Sequence, residues 1–205
     1  MKRPCKILVT GFGAFGDVVS NPTQRVVDHL EANPPGNFIT SPIALPVSWK
    51  QMPSILRAQL HRDKWDAVLL MGVAASRPYW SVETMAVNRA AEIRDCNGQL
   101  PISTELVGGA PDRLQSTWAA TKVALAIEAL GVPVMQSEDA GSYLCNAALF
   151  LSLYWLQGAG IPVGFLHVPP DTDTMCIGEG IGSPTKFGFD SHVKVTEAVL
   201  SALAS

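Results

Sequence analysis

Charge is what this chain has least of. Asp, Glu, Lys and Arg make up 16% of its 205 residues, against roughly 25% in an average soluble domain. Neither sign dominates, with 15 Lys+Arg against 18 Asp+Glu and a net charge of −3. No half is strongly basic, so the counterion release that drives nucleic-acid binding is missing and no nucleic-acid partner is expected. Cysteine is scarce as well. Cys5, Cys96, Cys145 and Cys176 are too few and too scattered for a disulfide scaffold, and no two form a CxxC pair, so a reducing, cytoplasmic setting is expected and a zinc site is not. The apolar stretch Ile7 to Val9 is far shorter than a signal-peptide core and runs straight into a strand-like segment, so no secretory leader is expected.

The low charge has one concentrated expression. No Asp, Glu, Lys or Arg occurs between Asp139 and Asp171, a stretch longer than the ~20 residues that cross a bilayer. Gln157, Gly158, Gly160 and Pro162 divide it into a short helix-like block and a separate strand-like block, neither of which spans alone. Buried core is expected there, with no membrane partner.

Against these absences, 47% of the residues are hydrophobic, and a chain of this length buries roughly 70% of its unfolded surface. A single domain over residues 1–205 is expected. Lys6 to Thr10 and Ala67 to Met71 read as buried strands, the first entering the glycine-rich TGFGAFG and the second ending at Gly72. Asn21 followed by Pro22 predicts a capped helix through about Ala32. Phe38 to Leu45 reads as a strand that Pro42 places at an edge or bulge, Met52 to Asp63 as a helix and Ser81 to Val87 as a mixed strand. Asn97-Gly98 has the look of a hairpin turn. Ser116 to Leu130 predicts a helix closed by Gly131, Val134 to Gln136 a strand, Asn146 to Leu156 a helix, Pro162 to Val168 a strand and Ser191 to Leu203 a last helix. The glycine-rich stretch Asp171 to Asp190 is expected to be a mobile loop. The alternation predicts an α/β/α sandwich with a mixed, largely parallel, twisted sheet covered by helices on both faces.

Chemistry gathers at few residues. His29 and His61 lie among charged neighbours on predicted helices, and His192 opens the last helix, whereas His167 falls at the carboxyl end of a buried strand, where open α/β sheets build their sites. A core histidine bonded to backbone is the equally weighted alternative. Cys145, in GSYLCN, precedes a predicted apolar helix; a helix amino end lowers a thiol pKa from roughly 8.5 and offers N–H groups to an oxyanion. Alkylation well below that value is the corresponding expectation, although most free cysteines merely fill core volume. A cysteine hydrolase needs a third group to orient its imidazole. Glu83, in SVETMAVN, is an acid in a β-rich stretch, where an outward-facing side chain is the common case. TGFGAFG lacks both the P-loop lysine and GxGxxG spacing, so neither nucleotide motif is present.

With VTGFGAFG and Asn21-Pro22 at the amino end, SVETMAVN around Glu83, and AGSYLCN followed 22 positions later by FLHVP, nearly the whole chain resembles the pyroglutamyl peptidase type I family of cysteine peptidases. The resemblance implies Cys145 as nucleophile, His167 as general base then acid, and Glu83 as its orienting carboxylate. It implies release of an N-terminal pyroglutamyl residue from peptides through a thioester, without metal or cofactor, by a homo-oligomer that is commonly a tetramer in the family. Phe12 and Phe15 correspond to loop aromatics that hold the lactam ring, and Val73 to a further pocket position. Where relatives often read DARIPDN, Ala91 to Asn97 reads AEIRDCN, so Arg94 stands about one place from the family arginine and is the candidate for oxyanion support. Two other readings are a pyroglutamyl-peptide binding protein that has lost turnover and a different acyl-transferring hydrolase on the same scaffold.

Overall fold

A computed structural model describes residues 3–14, 20–172 and 187–205. Six of its strands form one sheet in the order β2 (Ile39–Leu45), β1 (Lys6–Phe12), β3 (Ala67–Val73), β8 (Val163–Val168), β4 (Trp80–Glu83), β7 (Val134–Ser137). Only the β4–β8 pairing is antiparallel. The expected mixed, mostly parallel sheet is therefore present. β2 lies at the sheet edge, where the missing N–H of Pro42 costs no ladder bond.

Side-chain alternation along the strands sends neighbouring residues to opposite faces. Leu8, Phe12, Val68, Leu70 and Phe165 face one core, closed by α2 (Met52–Arg62) and α4 (Leu144–Trp155). Ile7, Val9, Leu69, Met71 and Leu166 face the other, closed by α1 (Pro22–Ala32), α3 (Ala120–Glu128) and α5 (Phe189–Ala204). The two-period pattern of β3 and β8 thus places Gly72 and His167 on the α4 side, because Met71, Val73, Leu166 and Val168 belong to the opposite core. α1 begins as its sequence predicts: Pro22 is at the first helical positions and the Asn21 side chain accepts from Thr23 N at 3.0 Å.

Several boundaries move for identifiable reasons. The strand expected over Ser81 to Val87 breaks at Thr84, and β5 (Met85–Val87) leaves the main sheet to pair with β6 (Arg113–Gln115), a strand the sequence pattern did not reveal. α3 starts at Ala120 rather than Ser116, because Ser116 Oγ and Trp118 Nε1 are turned back to donate to the Glu83 carbonyl, at 2.8 and 3.1 Å. Asn97-Gly98 makes a turn but no hairpin: Gly98 has φ +72°, and the Asp95 carboxylate accepts from the N–H groups of Asn97 and Gln99 with no strand on either side. β3 continues through Gly72 to Val73, and α4 begins at Leu144, two residues early. Among the described residues no helix is long and apolar enough to cross a membrane. Most of the expected loop from Asp171 to Asp190 lies outside the described residues.

Candidate active site

The parallel strands β1, β3 and β8 end along one edge, and their last residues meet there. Phe12 closes β1 and Val73 closes β3, while Gly72 and Val73 pair with His167 and Val168 of β8. On the other side of β8, the antiparallel register sets Ser81 of β4 opposite His167 and Glu83 opposite Phe165. Trp80 and Val82 point into the α5-side core, so Ser81 and Glu83 must point to the α4 side, toward His167.

That alternation buries Glu83 completely, in place of the outward-facing position common for a strand glutamate. Its Oε1 lies 2.7 Å from His167 Nδ1 and accepts from Arg77 Nη1, also at 2.7 Å. Glu83 Oε2 is buried without a hydrogen-bond partner among the described residues. A carboxylate can only accept, so Nδ1 carries the imidazole proton and the second ring nitrogen, Nε2, is left as a base. The backbone at Glu83 is equally constrained, since its carbonyl takes the bonds from Ser116 and Trp118. Gly164 leaves the space into which the Trp118 ring packs.

Cys145 is the second residue of α4, and no side chain caps that helix, so the first-turn N–H groups have no intrahelical acceptor. A Cβ on Gly72 would lie 2.7 Å from Cys145 Sγ. The absent side chain at Gly72 is therefore what lets the sulfur settle against the strand position paired with His167. The electrostatics reverse the expectation of a lowered thiol pKa. Although the residue keeps some surface on the cavity, burial pushes its thiol up to about 12, with the Glu83 charge adding to the rise and Arg77 opposing it. The helix terminus loses to desolvation here. The resting sulfur is a neutral thiol, and alkylation well below the ordinary thiol pKa is not expected.

Cys145 and His167 open on one cavity of about 200 Å³, which Phe12, Val47, Val73 and Tyr143 line with apolar surface. At about 30 Å³ per water in the liquid, that space is room for a small ring. Larger hollows elsewhere, up to about 590 Å³, contain neither the sulfur nor the imidazole. Asn21 also lines the cavity, but its Oδ1 accepts from Thr23 N and Oγ1 and its Nδ2 donates to the Gly13 carbonyl, as a helix cap should. Tyr143, not singled out in the sequence, packs edge-on against Trp49 and donates its hydroxyl to the Arg94 carbonyl. Burial raises the Tyr143 phenol to about 12, so it stays a donor.

The structure thus brings Glu83, Cys145, His167, Phe12 and Val73 together. Arg94 is held elsewhere: its guanidinium donates to the Gly98 carbonyl at 2.7 Å in the exposed turn, and it does not line the cavity. Phe15 lies outside the described residues. Among the described residues no cluster of His, Cys, Asp and Glu could hold a metal ion. Arg77 escaped the sequence reading; the signal was an isolated arginine shortly after a buried strand, six residues before Glu83.

The chain is similar in sequence and fold to known proteins. A family model described as pyroglutamyl peptidase matches residues 5–204. A pyrrolidone-carboxylate peptidase of Pyrococcus furiosus is 35% identical over 185 residues, covering 88% of this chain and 89% of that protein. One of Thermococcus litoralis is 33% identical over 171 residues, covering 82% and 78%. Among solved structures, a mutant pyrrolidone carboxyl peptidase from Pyrococcus furiosus superposes with a TM-score of 0.89 at 30% identity, with 97% of each chain covered.

Proposed function

The chain belongs to the pyroglutamyl peptidase family, and from that premise we propose how its own residues carry out the family's cysteine-peptidase chemistry, the release of an N-terminal pyroglutamyl residue from a peptide. The observation that supports this most is the pairing of Cys145 and His167 on one cavity, with His167 held by the buried Glu83 at 2.7 Å. The lactam ring occupies the apolar slot formed by Phe12, Val73 and their neighbours, a lining suited to a flat uncharged ring.

Because the resting sulfur is a thiol, His167 Nε2 takes its proton as the sulfur bonds to the pyroglutamyl carbonyl carbon. The oxyanion that develops lies at the uncapped amino end of α4, where the first-turn N–H groups receive it. The carbon–nitrogen bond then breaks, His167 returns the proton to the departing amine, and a thioester remains on Cys145. Water deprotonated by His167 attacks the thioester, releasing pyroglutamate and restoring the thiol. Glu83 holds the imidazole in the productive tautomer and balances its charge while it is protonated.

Hydrolysis of a pyroglutamyl chromogenic amide by wild type and by Cys145→Ala tests this reading. Wild type is expected to turn over and Cys145→Ala to lose essentially all release of the reporter amine; turnover retained by the variant would sink the assignment. Four scattered cysteines with no CxxC pair support a reducing, cytoplasmic setting. The assembly we propose is a homo-oligomer, a tetramer by family resemblance, and exposed Ile93, Leu100 and Ile102 offer apolar surface for a second copy to cover.

A further inference from the structure

Arg77 has no part in the scheme above, yet its guanidinium bonds directly to the Glu83 carboxylate. Nη1 donates to Glu83 Oε1 at 2.7 Å and reaches Ser137 Oγ at 3.4 Å; Nη2 donates to the Asp139 carbonyl at 2.7 Å. These partners belong to two pieces of chain: the end of β4, and the segment that runs from the end of β7 through Asp139, Ala140 and Gly141 into α4 and Cys145. Arg77 itself sits in the turn after β3, where its N–H donates to the Ala74 carbonyl.

The Glu83 carboxylate depends on this side chain. Among the described residues Oε2 has no partner and Oε1 is shared by Arg77 and His167, so the imidazole is the only other described group that holds its orientation. When His167 is neutral, Arg77 is the one cation among the described residues on a fully buried carboxylate. Removing one partner of such a pair leaves a buried charge uncompensated. A two-pronged guanidinium also fixes direction, which a point charge does not.

We propose that Arg77 is a positioning residue for this reaction, holding the Glu83 carboxylate against His167 and tying that pair, through the Asp139 carbonyl, to the loop that delivers Cys145. The inference rests on the proposed peptidase reading. The charged and titratable groups acting on the sulfur are Glu83 from β4 and Arg77 from the β3–β4 turn, with His167 of β8 and Tyr143 of the α4 cap beside it on the cavity. Of these, Arg77 is the permanent cation and favours the thiolate.

The test compares wild type, Arg77→Lys, Arg77→Met and Arg77→Ala, with Cys145→Ala as the blank, in pyroglutamyl amide hydrolysis and in iodoacetamide alkylation of Cys145 at fixed pH. Loss of a charge-assisted hydrogen bond predicts a kcat roughly 10–100-fold lower in Arg77→Met, with KM little changed. Arg77→Lys, which keeps the charge and loses the fork, is expected to fall between the two, and millimolar guanidinium to restore part of the activity of Arg77→Ala. Alkylation of Cys145 is expected to slow in Arg77→Met, whereas a variant that had merely loosened the fold would alkylate faster. Wild-type kcat in Arg77→Lys or Arg77→Met overturns the proposal, as does lost activity with unchanged or faster alkylation and no rescue by guanidinium. If Arg77→Met does not fold, the kcat of Arg77→Lys decides. Should wild type itself fail to cleave the amide, the peptidase reading falls, and the alkylation rates still judge Arg77.

Discussion

At the scale of single residues, burial decides more than local sequence does. Cys145 stands where a helix terminus should acidify it, yet desolvation and the neighbouring Glu83 carboxylate raise its thiol to about 12. His192 shows the same effect with the opposite sign of charge. It is fully buried beside Trp80, with ring centroids 5.4 Å apart, and neither ring nitrogen has a hydrogen-bond partner among the described residues. Burial pushes its pKa down to about 4; the Asp171 carboxylate works against this fall and Arg25 with it. The folded state therefore refuses a proton that the unfolded chain accepts from about pH 6.5 downward. Stability from this residue is complete above about 6.5 and drains away as the pH falls toward about 4. Between pH 7 and pH 5 the loss is about 2 kcal/mol. The carboxylates held below their usual range, Asp63, Asp66 and Asp95, lose their contribution only at still lower pH. Denaturant unfolding at pH 7 and pH 5 is expected to show this loss in wild type and a curve flatter by that amount in His192→Leu. Equal slopes in the two proteins would rule out His192 as the source.

At the scale of elements, the site depends on what one strand leaves out. β3 runs on through Gly72, and the missing side chain there makes room for Cys145 Sγ and for the Phe165 ring, whose Cζ would lie 2.9 Å from an added Cβ. Gly72→Ala forces both to move, an overpacking that costs about 1–3 kcal/mol. The expected result is a fall of about tenfold or more in kcat/KM with a Tm only several degrees lower, because the sulfur is displaced from a strand position that pairs with His167. Steady-state kinetics and a thermal melt on the same preparation check it; wild-type kcat/KM would mean the sulfur has another place to sit. The paired elements β4 and β8 act likewise. Their antiparallel register carries Glu83 past His167, and a slip of one residue would send the carboxylate to the α5 face.

At the scale of the whole molecule, one sheet serves two cores, and the site lies where its parallel strands end. Of the apolar side chains left outside these cores, Ile93, Leu100 and Ile102 are exposed within ten residues of chain. The proposed homotetramer would cover such surface. Light scattering on the purified chain is expected to return about four times the 21.9 kDa chain mass, and a monomer mass at micromolar concentration would refute the assembly.

The sequence by itself determined the α/β alternation, the capped start of α1, the restriction of Pro42 to an edge or bulge and the residue types of the site, because each follows from local chemistry. Periodicity, Asn-Pro capping and the low charge from Asp139 to Asp171 are read from contiguous chain. That uncharged interval proved to hold α4 and β8, which bear Cys145 and His167. Only the tertiary structure decided the rest. The break at Thr84, the inward face of Glu83, the grip of Arg77 on it, the raised thiol of Cys145 and the burial of His192 all depend on register and on desolvation by elements distant in sequence. A local pattern carries neither, since the dielectric around a group is set by whatever the fold packs against it.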